Sequence, residues 1–176
     1  MKYLILTEGE CELGLINVLL EKNMMIYSFD DLVYERAYHE RQLTDKIKER
    51  INSLPYDEKI TIIRIGDKLT DSINIPPEYK EKIVEQIKVC TKPEFEILHI
   101  IHKKKINEFI HRKTEIYASE YLKSIDKTYK KTRDYNYNYF NSLKEKELID
   151  LLQKYCQYRR GTHKKEEKAI YDLLKK

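Results

Sequence analysis

Residues 4–21 read LILTEGECELGLINVLLE, and this stretch changes its periodicity halfway along. The apolar run of residues 2–7 has the length of a β-strand. From Glu10 to Lys22 the apolar residues Leu13, Ile16, Leu19 and Leu20 recur at spacings of three and four, which predicts a helix. Between the two lies Glu8-Gly9-Glu10-Cys11-Glu12, three carboxylates at the mouth of the first core strand.

The same alternation continues outward. Residues 24–29 predict a second strand ended by Asp30-Asp31, and residues 38–53 a helix with Leu43, Ile47 and Ile51 on its inner stripe. Pro55 closes that helix. KITIIRIGDK, residues 59–68, is the strongest strand signal in the chain, β-branched and ending in Gly66-Asp67. Pro76-Pro77 then opens a predicted helix over 77–88, a short strand is expected over 89–91, and KPEFEILHIIHKKKINEFI predicts a further helix. Strands alternating with helices predict an α/β fold: a mostly parallel sheet of about four strands, covered on both faces. Beyond residue 112, RKTEIYASEYLKSIDKTYKKT and YFNSLKEKELIDLLQKYCQYRR predict helices joined by a polar RDYNYN turn, and KKEEKAIYDLLKK a last short helix. The expected organisation is a core over 1–112 and a basic, Tyr-rich helical extension over 113–176, packed on the core.

A chain of 176 residues supports one core. No apolar stretch approaches the ~20 residues of a membrane helix, so no membrane partner is expected. The first residues lack the length of a secretory apolar region. Cys11, Cys90 and Cys156 are odd in number and far apart, which supports neither a disulfide framework nor a zinc ribbon and predicts a cytoplasmic setting. The net charge of +4 hides an asymmetry: residues 1–101 carry 14 Lys/Arg against 19 Asp/Glu, and residues 102–176 carry 20 against 11. An acidic core followed by a basic segment holding nine of the fifteen tyrosines suits a cation site beside a polyanion-binding surface. Solvated lysines and packed tyrosines would give the same composition.

In a parallel sheet, ligands bind beyond the carboxyl ends of the strands. Glu8, Asp67 and Glu96 fall at such ends, and Glu12 lies one helical turn from Glu8. Carboxylates gathered at one rim repel one another unless a cation compensates them, and hard oxygen ligands suit Mg2+ or Mn2+. The alternative for Glu8 is a carboxylate that complements the dipole of the following helix. Asp71 is a further candidate within LTDSINIPP, as is a simple turn there. No GxGxxG or GxxxxGK[ST] motif is present, which argues against a nucleotide-binding protein.

These residues resemble a known family. LILTEGECE resembles the first motif of Toprim domains, in the EGxxE form of the overcoming-lysogenization-defect nucleases. TIIRIGDK takes the place of the second motif. KPEFEILHIIHKK is similar to the Asn-Pro-x-Phe-Glu-x-Trp-Leu-Leu-x-His signature of RloB-like Toprim proteins, with Pro93, Phe95, Glu96 and His102 at matching positions. The resemblance covers residues 1–110. It implies a Toprim-like, Rossmann-like fold and a divalent-metal-dependent nuclease, a phage-defence effector of the abortive-infection type. RNA such as tRNA, or DNA, would be its substrate and an ATPase a regulatory partner. Glu8 would act as metal ligand or proton-transfer carboxylate, with Glu12, Asp67 and Glu96 completing the coordination. Lys68, an ammonium at the same rim, is a candidate contact to the scissile phosphate or else a solvated lysine after the strand. The sequence departs from the family at Gly66-Asp67-Lys68-Leu69, which lacks a second aspartate two residues on; Asp71 could substitute if the loop folds back. A degenerate, non-catalytic nucleic-acid-binding or regulatory subunit is the rival reading.

His102 points toward an apolar stripe and is expected to be a buried structural residue, whereas His99 shares a face with Glu96. The basic candidates for nucleic-acid contact are Lys103, Lys104, Arg112, Lys130, Lys131, Arg133, Arg159 and Arg160, interleaved with tyrosines that could stack on unpaired bases. Cys11 is read as a packed, inert thiol.

Overall fold

The computed structural model describes residues 1–67, 72–159 and 167–175. Four strands, β1 (Lys2–Thr7), β2 (Tyr38–His39), β3 (Ile60–Gly66) and β4 (Ile83–Cys90), form one all-parallel sheet in the order β2-β1-β3-β4. With its flanking helices this is a Rossmann-like α/β arrangement. Every residue of β3 is buried, as a central parallel strand requires. Its side chains alternate between two cores. Ile60 and Ile62 join Leu4 and Leu6 against α2 (Asp45–Asn52), which contributes Ile47 and Ile51. Ile63 and Ile65 join Ile5 and Val89 on the opposite face, under α1 (Glu10–Glu21).

The remaining helices are α3 (Ile97–His102), α4 (Ile106–Arg112), α5 (Ala118–Ile125), α6 (Arg133–Asn141) and α7 (Glu145–Tyr158). Phe140, Leu148, Leu151 and Leu152 of the C-terminal helices belong to the same apolar cluster as Ile5 and Ile63, so the extension shares the core of the sheet. Helices α1 and α6 cross at Gly14, where a Cβ would overlap the carbonyl oxygen of Arg133 and the backbone nitrogen of Tyr137. Among the described residues no helix is long and apolar enough to cross a membrane.

Several predicted elements differ. Met24, Met25 and Tyr27 are buried and Ile26 is exposed, but the segment does not join the sheet: Met25 bridges Leu174, and the backbone of Met24 and Ile26 pairs with Lys175 and Leu173. The second strand is instead Tyr38–His39, opposite Leu6 and Thr7, so the helix expected from residue 38 starts at Asp45. The helix expected over 77–88 is a 3-10 turn, Pro77–Tyr79, followed by β4. Ile83 and Ile87 fit either period, and pairing of Ile63 with Ile87 and Ile65 with Val89 decides for the strand. The long helix expected around residues 92–110 is two, α3 and α4, separated at Lys104, whose φ of 59° lies in the left-handed region. The helix expected over 112–132 contracts to α5. RDYNYN is no turn: it is most of α6, capped by the Thr132 hydroxyl, which accepts from the Tyr135 N–H at 3.3 Å. The last helix is a 3-10 segment, Ile170–Leu173.

Candidate functional site

From β1 the chain crosses to β2 on one side and later to β3 on the other, so connections diverge above the carboxyl ends of β1 and β3. This is the topological switch point at which open parallel sheets form a crevice. A cleft of about 280 Å³ lies there, lined by Glu8, Glu12, Asp67 and Glu96 together with Arg41 and Lys131. The carboxylates come from four places in the chain: the end of β1, the first turn of α1, the end of β3, and the residue before α3.

Two glycines make room for them. The Glu8 N–H donates to the Ile65 carbonyl at 2.8 Å, which sets Glu8 beside Gly66, where a Cβ would overlap its carboxylate. The Glu12 carboxylate lies in the same way against Gly9. The loop containing Glu8 is also held by His39, whose Nε2 is 3.2 Å from the Glu8 carbonyl oxygen.

Glu12 and Glu96 are both buried, at 8% and 2% exposure, but they are satisfied differently. Glu12 Oε1 accepts from the Thr91 hydroxyl at 3.2 Å, a neutral partner. Burial pushes the Glu12 pKa up, and the charges of Asp67 and Glu96 push it further against the opposing hydrogen bonds. Glu96 Oε1 accepts from the Tyr129 hydroxyl at 3.2 Å and from Lys131 Nζ at 3.0 Å. Lys131 carries its ammonium at the end of a side chain that is 66% exposed. Burial acts to lower the Lys131 pKa, and the hydrogen bond and charge of Glu96, with Cys11 and Glu12, outweigh it and raise it. Cys11 also lines the cleft; burial first, then Glu12 and Glu96, push its thiol up to about 12, so it stays protonated and inert.

The donor set is all carboxylate oxygen, the chemistry Mg2+ and Mn2+ select. Among the described residues no three His, Cys, Asp or Glu side chains already close on one point, and the cation that meets Glu96 is Lys131. Lys68 and Asp71 lie outside the described residues, as does Arg160.

Neither histidine lines the cleft. His99 is wholly buried inside a cage of Phe95, Tyr129, Tyr135, Tyr139 and Phe140, with ring centroids 4.3–6.4 Å away, and does not line the cleft. Its Nε2–H donates to Asn136 Oδ1 at 2.7 Å, because the Asn136 amide nitrogen is committed to the Thr132 carbonyl. Burial lowers the His99 pKa to about 4. His102 is only half-buried and meets the Tyr139 hydroxyl at 2.5 Å through Nδ1.

The basic candidates lie in different surroundings. Arg159 is wholly buried with its guanidinium over the Tyr155 ring at 5.5 Å, so it is not a surface cation. Lys103 is ion-paired with Asp126 at 2.7 Å and Arg133 with Asp134 at 2.8 Å; Arg112 lies over the Tyr121 ring. Lys104 and Lys130 are exposed. Lys131 alone of the described candidates lines the cleft. Sequence reasoning missed Arg41, which the loop after β2 brings to the cleft, and the hydroxyls of Thr91 and Tyr129. Their only sequence signal is that Thr91 follows a strand and Tyr129 precedes the basic Lys130-Lys131 pair. No family model, curated protein or solved structure matches this chain.

Proposed function

We propose that the cleft is the active site of a divalent-metal-dependent nuclease of Toprim type. The observation that carries this reading is the gathering of Glu8, Glu12, Asp67 and Glu96, remote in the chain, at the switch point of a parallel sheet. Glu8, Glu12, Asp67 and Glu96 would hold Mg2+ or Mn2+, which when bound activates water and stabilises charge developing on a phosphodiester. Arg41 and Lys131 supply the positive charge that meets a phosphate at the rim. Asp67, exposed at the end of β3, faces the solvent from which substrate arrives. Tyr129 and Thr91 hold Glu96 and Glu12 in place. RNA such as tRNA, or DNA, is the substrate class, the activity that of a cytoplasmic phage-defence effector, and an ATPase the regulatory partner.

A second reading, a nucleic-acid-binding or regulatory subunit without catalysis, draws on Lys131: an ammonium already compensates the most buried carboxylate. Mn2+ titration followed by thermal shift separates the two. A metal site saturated a hundredfold above its Kd stabilises the fold by about 2.7 kcal/mol. The wild type is expected to respond in this way and Glu8→Ala to respond less. Incubation with total RNA and with plasmid, each with Mn2+ and with EDTA, then identifies the substrate. No thermal response in either protein favours the binding subunit.

A further inference from the structure

We propose that Lys131 is a tethered counter-ion that occupies the metal site, and that a divalent cation must displace it from Glu96 to bind. This rests on the metal reading of the cleft and adds a control built into it. Glu96 is the most deeply buried carboxylate of the cleft, and its Oε1 is committed twice, to Lys131 Nζ at 3.0 Å and to the Tyr129 hydroxyl at 3.2 Å. Both groups come from one connection, residues 126–132, that leads from α5 to α6. That connection is fixed at its start by the Lys103–Asp126 ion pair and by the Thr128 N–H and hydroxyl, which donate to Asp126 at 2.9 and 2.6 Å. At its end Thr132 caps α6. Its backbone is therefore anchored on both sides, and Lys131 reaches inward across the mouth of the cleft.

The charges around the cleft explain why the ammonium stays. Glu8, Glu12, Asp67, Glu94 and Glu96 face Arg41 and Lys131. Glu94 is engaged elsewhere, accepting from the Ala118 and Ser119 N–H groups at the start of α5. Without Lys131, Glu96 would keep only a neutral hydroxyl partner among the described residues. A metal ion that takes Glu96 as ligand removes the partner that Lys131 has, and the ammonium swings into solvent on a side chain already two-thirds exposed. Metal and lysine therefore exclude each other at one oxygen, and the displaced lysine lowers the apparent affinity for metal.

The test measures Mn2+ binding by calorimetry on the full chain as wild type, Lys131→Met and Lys130→Met. Both variants remove one positive charge, but Lys130 is exposed and lines no part of the cleft. Lys131→Met is expected to bind Mn2+ about three- to fivefold more tightly, the upper part of the range that removal of one competing, partly exposed ion pair supports. Lys130→Met is expected to change binding less than about twofold, since its exposed ammonium pairs with none of the cleft carboxylates and is screened by solvent. In the metal-free state Lys131→Met melts below wild type and gains more from saturating Mn2+. Unchanged or weaker Mn2+ binding by Lys131→Met overturns the proposal while leaving the metal site standing, as does an equal gain in Lys130→Met. Absence of Mn2+ binding in all three proteins overturns the metal reading and this control with it.

Discussion

The carboxylate cleft and the aromatic cage adjoin at the start of one short helix, α3, where Phe95 lines the cleft and Tyr129 both flanks His99 and bonds Glu96, yet they treat ionisable groups in opposite ways. Glu96, just before the helix, keeps a charged partner and opens onto a cleft. His99, one turn later, is enclosed by five rings with its proton on Nε2, and burial strips its charge. The cage fills space with apolar surface and keeps its one imidazole neutral, with Nε2 bonded to Asn136 and Nδ1 buried without a partner; the cleft collects charge that its surroundings only partly compensate. Folding is expected to depend on the first and ligand chemistry on the second.

The largest effect that would break this division is removal of a cage ring. Phe140 is fully buried and packs edge-on to Phe95 at 5.9 Å and against His99 at 5.0 Å. Phe140→Ala is expected to cost about 3–5 kcal/mol, read as a lower urea midpoint at unchanged slope. The Mn2+ response of the folded fraction should persist. Loss of that response at full folding would show that cage and cleft are one unit.

Titration sharpens the contrast, because His99 and Glu12 shift stability in opposite directions. The folded pKa of His99, about 4, lies below the 6.5 of an ordinary imidazole, so unfolding in acid takes up a proton. Its contribution is complete above pH 6.5 and is lost as pH falls toward 4, about 3 kcal/mol across that window. Glu12 has a raised folded pKa, so its contribution is greatest below the ordinary 4.5 and is lost as pH rises through the folded value. His99→Gln should flatten the acid limb of the stability profile and leave Mn2+ binding intact. Glu12→Gln should stabilise the metal-free protein near neutral pH, by less than the His99 effect, and weaken Mn2+ binding.

The difference between the two regions also governs what the sequence made legible. β1, α1 and β3 were readable because strong local periodicity agreed with burial on both sheet faces, and the rim carboxylates followed from where those strands end. β4 was not readable as a strand, since Ile83 and Ile87 satisfy a helical period until β3 lies beside them. The spacing of His99 from Glu96 points it toward the rim, but four of the five rings that enclose it come from residues 129–140, a long-range fact. Lys131 reached Glu96 by the same kind of contact, 35 residues apart in sequence and joined at 3.0 Å. Arg159 reads as a surface cation because its place just after α7, against Tyr155, is set by packing rather than by local pattern.

The smallest expected effect lies on the seam between cleft and cage. Lys103 pairs with Asp126 at 2.7 Å and lies 5.7 Å from the centre of the Tyr139 ring, so one side chain touches both the cage and the connection that carries Lys131. The Lys103 hydrogen bond holds the Asp126 carboxyl well below its usual range. A depressed carboxyl contributes stability above its unfolded pKa of 3.8 that is lost as pH falls, so Lys103→Met should remove about 0.2–1 kcal/mol at neutral pH and less in acid. The informative readout is metal binding. If the anchored connection is what aims Lys131 at Glu96, Lys103→Met loosens the aim and tightens Mn2+ binding by a smaller factor than Lys131→Met. Combined with Lys131→Met it then adds nothing, because no ammonium remains to be aimed. An additive gain in the double variant would show that Lys103 acts on the cleft by its charge alone, and the seam would be electrostatic rather than mechanical.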